Sequence, residues 1–286
     1  MDDVVLLLPG QGAQFAGMGV ELYRTEPVFT GVVDRLLPPV LHAAFVEGGP
    51  LDEGTLAQPL LLAIAYATGV LLRHRGIEPV AYLGHSVGEL AGAALAGVFD
   101  PVPVIAARAR AMAVLPPGGM LAVAATPEEL EPCLHGDVVV AALNAPRQTV
   151  VAGPEPQLSE TAARLRETGL SWRAVPARQP FHSPAARPAA DLFAAELARI
   201  PLCSPETPVW STRTGRPVTG AEARSVEFWA GQVAAPVRFW PALDNLLAHG
   251  DHTLVETGPG RGLSMLARRH PAVRAGRSRV APDLTL

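Results

Sequence analysis

The chain has 286 residues, 49% of them hydrophobic and 17% charged. That is enough apolar material for one large domain, or one domain with an insert, and too little charge for long disordered tracts. The formal net charge is −4 and all 23 basic residues are arginine. This excludes the broadly basic surface that bulk nucleic-acid binding needs. Cys133 and Cys203 stand in no metal-ligand or disulfide spacing and read as ordinary thiols of a reducing cytoplasm. The acidic start Met1-Asp2-Asp3 is no signal peptide, and no apolar run is expected to span a membrane.

In chain order, residues 4–8 read as a buried strand closed by Pro9-Gly10-Gln11-Gly12. Pro59 is expected to open an apolar, buried helix that ends near Gly76. Residues 80–83 read as a second short strand. It runs into Gly84-His85-Ser86-Val87-Gly88 and a small-residue helix over 89–97. The rhythm then changes after Pro116-Pro117-Gly118-Gly119. Strands are expected at 120–125, 138–143, 149–152 and 172–175, with helices at 127–134 and 155–168. This β-α-β-β-α-β order is the ferredoxin-like pattern. Helices follow at 184–199, 241–247 and 262–268, with a strand at 253–255. The expectation is an α/β fold: a core with a mostly parallel sheet, over 1–117 and 178–286, and an inserted ferredoxin-like α+β subdomain over 118–177.

Gly84-His85-Ser86-Val87-Gly88 carries the chemistry. A Gly-x-Ser-x-Gly elbow forces a tight strand-to-helix turn, its glycines removing the Cβ atoms that would clash, so the serine hydroxyl projects at the sheet's edge. The helix that follows turns its N-terminal N–H groups toward that oxygen. The N–H of Val87 is thus a natural oxyanion donor. A serine nucleophile needs a base. Of eight histidines, His85 flanks the serine and reads as structural. His74 and His249 fall at predicted helix ends and read as solvated. His182, in the loop Gln179-Pro180-Phe181-His182-Ser183-Pro184, is the candidate base, since loops held by a scaffold are where catalytic groups sit. No metal-ligand pattern is apparent, and Gly10-Gln11-Gly12 lacks the continuation of a nucleotide-binding loop.

Several segments together resemble the malonyl-CoA:acyl-carrier-protein transacylases and the acyltransferase domains of polyketide synthases, as a discrete member. They are Pro9-Gly10-Gln11-Gly12-Ala13-Gln14, Gln58-Pro59, Gly84-His85-Ser86-Val87-Gly88-Glu89, Asn144-Ala145-Pro146, Phe181-His182-Ser183-Pro184, Gln232 ahead of Pro236-Val237, and Glu256-Thr257-Gly258-Pro259-Gly260. They occur in the family's order along nearly the whole chain. The resemblance implies a hydrolase-like α/β domain with a ferredoxin-like insert. It implies Ser86 as nucleophile, His182 as general base and acid, and Gln11 and Val87 as backbone donors to the oxyanion. Gln232 would hold His182 through its backbone carbonyl, giving a dyad rather than a triad. Gln58, His85, Asn144, Phe181 and Arg108 are the implied substrate-binding residues. The partners implied are acyl-CoA and an acyl-carrier protein with its phosphopantetheine arm. No permanently bound cofactor, metal, nucleic acid or membrane is implied.

Substrate choice is the point where the resemblance departs from pattern. Malonyl-using members carry an arginine for the free carboxylate on the helix after the elbow helix. The ungapped position here is Ala111. Arg108 takes the role if the Asp100-Pro101-Val102-Pro103 turn is three residues shorter than usual, and Arg110 lies close by. Phe181-His182 resembles the malonyl-preferring version, while Arg178-Gln179-Pro180 departs from the usual residues before the phenylalanine. Transfer of a larger acyl or aminoacyl unit between two carrier proteins, and hydrolysis by the same dyad, stay open as alternatives. So does a non-catalytic module that binds carrier protein. Asp137 and Glu160 lie between Ser86 and His182 but in the predicted insert, away from where a triad acid belongs. Arg147, Arg213, Arg261, Arg268 and Arg269 are the candidates for steering an acidic carrier protein.

Overall fold

The computed structural model describes residues 3–48 and 54–281. Five strands form a parallel sheet: β1 (Val4–Leu8), β2 (Pro79–Gly84), β7 (Val209–Trp210), β8 (Thr253–Glu256) and β9 (Arg279–Val280). Their order is β7-β2-β1-β8-β9. Val5 to Leu8 of β1 are fully buried, as befits a central strand with helices packed on both faces. The register sets Leu8 beside Gly84 and Leu7 beside Glu256. Three strand ends and the loops that follow them therefore meet at one edge, where α/β sheets usually bind ligands.

Four further strands build a second, antiparallel sheet: β3 (Gly118–Val123), β4 (Val139–Ala145), β5 (Gln148–Pro154) and β6 (Trp172–Ala174), ordered β4-β5-β3-β6. With the helix Gln157–Glu167 this is the ferredoxin-like arrangement expected from the element order. It has its own core of Leu121, Val123, Leu130, Val151, Leu158 and Leu165. The sheet is stitched to the larger core where Leu143 N–H donates to the Val237 carbonyl and Val237 N–H to that of Ala141.

Two expectations need correction. Pro59 does not open its helix; the helix Gly54–His74 already runs through it. A proline forfeits only one intrahelical hydrogen bond there, to the carbonyl of Thr55, and nearly the whole helix is buried in the core. Counted at its full 21 residues, this helix is long and apolar enough to cross a membrane, contrary to the expectation from the shorter run. It is instead the central core helix, packed by the helices Pro27–Leu36, Val87–Leu95 and Pro101–Met112. The short strands β7 and β9 and the helices before residue 54 are additions that the sequence pattern does not announce.

Candidate active site

The elbow is built as its glycines predict. A Cβ on Gly84 would lie 2.2 Å from the Glu89 nitrogen, and one on Gly88 would lie 2.1 Å from the Leu8 carbonyl oxygen. Only glycine allows β2 to turn this tightly into the helix Val87–Leu95 and lets that helix sit on the end of β1. Ser86 at the apex takes φ 53°, ψ −123°, a strained conformation for a residue with a side chain.

His182 also has a positive φ, 60°. Its Nε2 lies 2.7 Å from Ser86 Oγ. Its Nδ1 lies 2.8 Å from the Ala235 carbonyl and 3.1 Å from that of Gln232. Two carbonyls can only accept, so the proton sits on Nδ1 and Nε2 presents its lone pair to the serine hydroxyl. Burial above all pushes His182 down to about 4; nearby His85 and Arg108 add to this, and the two carbonyls oppose it. The Gln232 side chain donates from Nε2 to the Ser86 carbonyl at 2.7 Å, so one residue touches both members of the pair.

The N–H groups of Gln11 and Val87 have no protein acceptor among the described residues. Gln11 leaves the end of β1 and Val87 opens the elbow helix. Behind Gln11 runs a relay of side chains. Arg108 Nε donates to Gln58 Oε1 at 2.7 Å, and Gln58 Nε2 donates to Gln11 Oε1 at 2.9 Å. Arg108 is fully buried with its guanidinium 5.2 Å from the centre of the Phe193 ring, and among the described residues neither its Nη1 nor its Nη2 has a hydrogen-bond partner; Gln11 Nε2 is likewise buried and without one. Burial lowers the Arg108 guanidinium to about 9, still charged at neutral pH. Arg110 points elsewhere, in an ion pair with Glu196 at 2.8 Å, and Ala111 is buried. The Asp100 side chain caps the helix Pro101–Met112 directly.

A cleft of about 840 Å³ between the two sheets opens over Ser86 and is lined by Gln11, Gln58, His85, Asn144, Phe181 and His182. His85, read from its place beside the serine as structural and from the resemblance as substrate-binding, lines this cleft, and its Nε2 meets Asn144 Oδ1 at 2.8 Å across the two subdomains. Phe181 is buried against Gly54 at the start of the core helix, where an added Cβ would lie 2.6 Å from its Cζ. Of the proposed docking arginines, Arg147, Arg261 and Arg269 line the cleft, joined by Arg173, which no motif in the sequence points to. Arg268 lines a separate cavity of about 650 Å³. Arg213 is tied into the fold through the carbonyls of Glu227 and Phe228. Glu160 pairs with His135 in the small subdomain, away from His182. Among the described residues no cluster of three or more His, Cys, Asp or Glu could hold a metal ion.

A serine on an elbow with an imidazole at its oxygen is the geometry of acyl transfer, and the family comparison agrees. The family model described as "Acyl transferase domain" matches residues 5–271. The chain belongs to the acyl transferase domain family. It is 39% identical over 282 residues to a phenolphthiocerol/phthiocerol polyketide synthase polypeptide of Mycobacterium tuberculosis, covering 94% of this chain and 19% of that protein. The chain thus spans about a fifth of the length of that curated relative. Among solved structures, the acyltransferase domain from the second module of the salinomycin polyketide synthase superposes with a TM-score of 0.89 at 35% identity, covering 99% of this chain and 69% of that one. The malonyl CoA-acyl carrier protein transacylase from Clostridium perfringens gives 0.87 at 25% identity, covering 99% and 94%. This acyl transferase domain is therefore of the type shared by polyketide synthase acyltransferase domains and the transacylases.

Proposed function

We propose that this domain moves a malonyl-type acyl unit from a coenzyme A thioester to the phosphopantetheine thiol of an acyl-carrier protein, through an ester on Ser86. The observation that carries the reading is the Ser86 Oγ to His182 Nε2 contact, with Nδ1 held by two carbonyls. His182 takes the hydroxyl proton as Oγ attacks the thioester carbon. The oxyanion settles on the N–H groups of Gln11 and Val87, each such donor being worth ~3 kcal/mol. The carbon–sulfur bond breaks and the leaving thiolate takes the proton from His182. The carrier-protein thiol then gives its proton to His182 and attacks the ester, and Ser86 recovers its hydroxyl. With carbonyls in place of an acid, the imidazole works as half of a dyad.

Arg108 and Gln11 support the malonyl assignment. Arg108 Nη1 and Nη2 and Gln11 Nε2 are all donors, all buried and all unpaired. A site that offers only donors suits an acceptor-only group, and a carboxylate on an arginine fork is the strongest such match. In this reading Gln58 keeps both amides turned the same way, Phe181 limits a branch on the acyl unit, and His85 with Asn144 walls the cleft. We place the subdomain boundaries at 118 and 177 and the reaction in the cytoplasm. No resident cofactor enters any step.

The test is intact-mass analysis of the protein after brief exposure to malonyl-CoA and to acetyl-CoA, beside Arg108→Ala. A malonyl adduct that Arg108→Ala loses at least tenfold more severely than an acetyl adduct supports the assignment. Equal loss of both overturns the role of Arg108. An adduct only from a loaded carrier protein would favour transfer between two carriers.

A further inference from the structure

Glu89 is a buried carboxyl that no step above uses. It is 1% exposed and sits in the first turn of the elbow helix. No cation among the described residues pairs with it; its Oε2 instead accepts from Thr212 N–H at 2.9 Å and Thr212 Oγ1 at 2.7 Å. The side chains of Ser211 and Gln232 also lie within its hydrogen-bonding reach. Burial raises its pKa and these bonds oppose the rise. A buried carboxyl with no counter-ion is a costly way to fill space, so its contacts indicate what it does.

Those contacts lead to both halves of the dyad. Along its own helix, Glu89 N–H donates to the Ser86 carbonyl at 2.8 Å. Through Thr212 it grips a loop that anchors the chain on either side of the histidine's cradle. The Thr212 carbonyl accepts from Arg238 N–H at 2.6 Å, and Arg213 reaches the carbonyls of Glu227 and Phe228 at 3.1 and 2.7 Å. Between those anchors lie Gln232 and Ala235, whose carbonyls hold His182 Nδ1, and Val233, whose carbonyl takes the His182 N–H at 2.7 Å. We propose that Glu89 is a positioning residue: it sets the reach between Ser86 and His182 by tying the elbow helix to the loop that frames the histidine's carbonyls. This rests on the dyad reading above.

The experiment compares Glu89→Ala, Glu89→Gln and Thr212→Val with the wild type in single-turnover acylation across a series of malonyl-CoA concentrations, with thermal unfolding measured for each. Misplacing catalytic groups by about 1 Å costs ~100-fold. Glu89→Ala is expected to lose ~100-fold in maximal rate, with the half-saturating concentration unchanged within about twofold. Glu89→Gln is expected to recover at least ~10-fold of that loss. Its carbonyl can still accept from Thr212, and its amide can donate to Gln232 Oε1, which is buried without a partner. Thr212→Val keeps the shape and removes one of the two bonds, and a loss of ~10-fold is expected. A folded Glu89→Ala at wild-type rate overturns the proposal, as does a Glu89→Gln no better than the alanine variant. If Glu89→Ala fails to fold, Thr212→Val decides: a wild-type rate there overturns the proposal. Ser86→Ala separates the two readings, because an adduct that survives it removes the dyad and leaves Glu89 with nothing to position.

Discussion

In the proposed mechanism His182 is the base, and burial favours its unprotonated form. Its folded-state pKa of about 4 lies below the ordinary histidine value of 6.5. The rate of Ser86 acylation should therefore stay level from neutral pH down to about 5 and fall only as pH nears 4. A fall centred near 6.5, read by quenched intact mass, would contradict this. The same shift enters stability. Between these two values the unfolded chain holds a proton on His182 that the folded chain does not, so stability is full above pH 6.5 and declines as pH drops toward about 4. The total is about 3 kcal/mol, and urea titrations of His182→Phe against wild type should show that slope removed. At this scale the sequence is readable where a motif names the atom, as at Ser86 and His182. It is not readable for His85, whose side chain is defined by Asn144, 59 positions away. For the carboxylate arginine the resemblance favours Arg108 over Arg110, and in the structure Arg108 is buried while Arg110 pairs with Glu196.

The elbow is an element whose sequence and shape agree because its constraint is local. Gly84 and Gly88 are needed at fixed offsets from Ser86, and the spacing is visible in the sequence. Gly88→Ala would drive a methyl to 2.1 Å from Leu8 O and 2.7 Å from Pro9 O, both backbone atoms that cannot swing aside. The variant should lose about 3 kcal/mol of stability, measured as a shift in the urea midpoint; an unchanged midpoint would refute the packing argument. Three of the four strands of the small sheet, β3, β4 and β5, are legible for a similar reason, each containing a short apolar run near turn residues, whereas β6 is Trp172-Arg173-Ala174 and mostly exposed. Strand β7 is not, since two residues carry no periodicity and β7 exists only because Tyr82 and Leu83 of β2 pair with it. Pro59 misleads because its rule applies to an isolated helix start. The contacts that cover Gly54–His74 outweigh one missing bond.

The whole molecule is two sheets that meet over one serine, and in the proposed reaction the cleft between them would keep an ester on Ser86 apart from bulk water. Among the described residues, the side-chain bonds that cross it include His85 to Asn144 and Arg269 to Gln148. Asn144→Ala strips a half-buried, partly desolvated imidazole of its partner. It should cost ~1–3 kcal/mol and speed hydrolysis of the acyl-enzyme by loosening the cleft. Decay of the adduct followed by intact mass checks the second effect, and an unaltered lifetime would count against it. The most direct measurement of the central claim is the mass of the protein after brief exposure to malonyl-CoA, wild type beside Ser86→Ala. One malonyl adduct is expected on the wild type, mapped to Ser86 and absent from the variant. An adduct of equal yield on Ser86→Ala would contradict it.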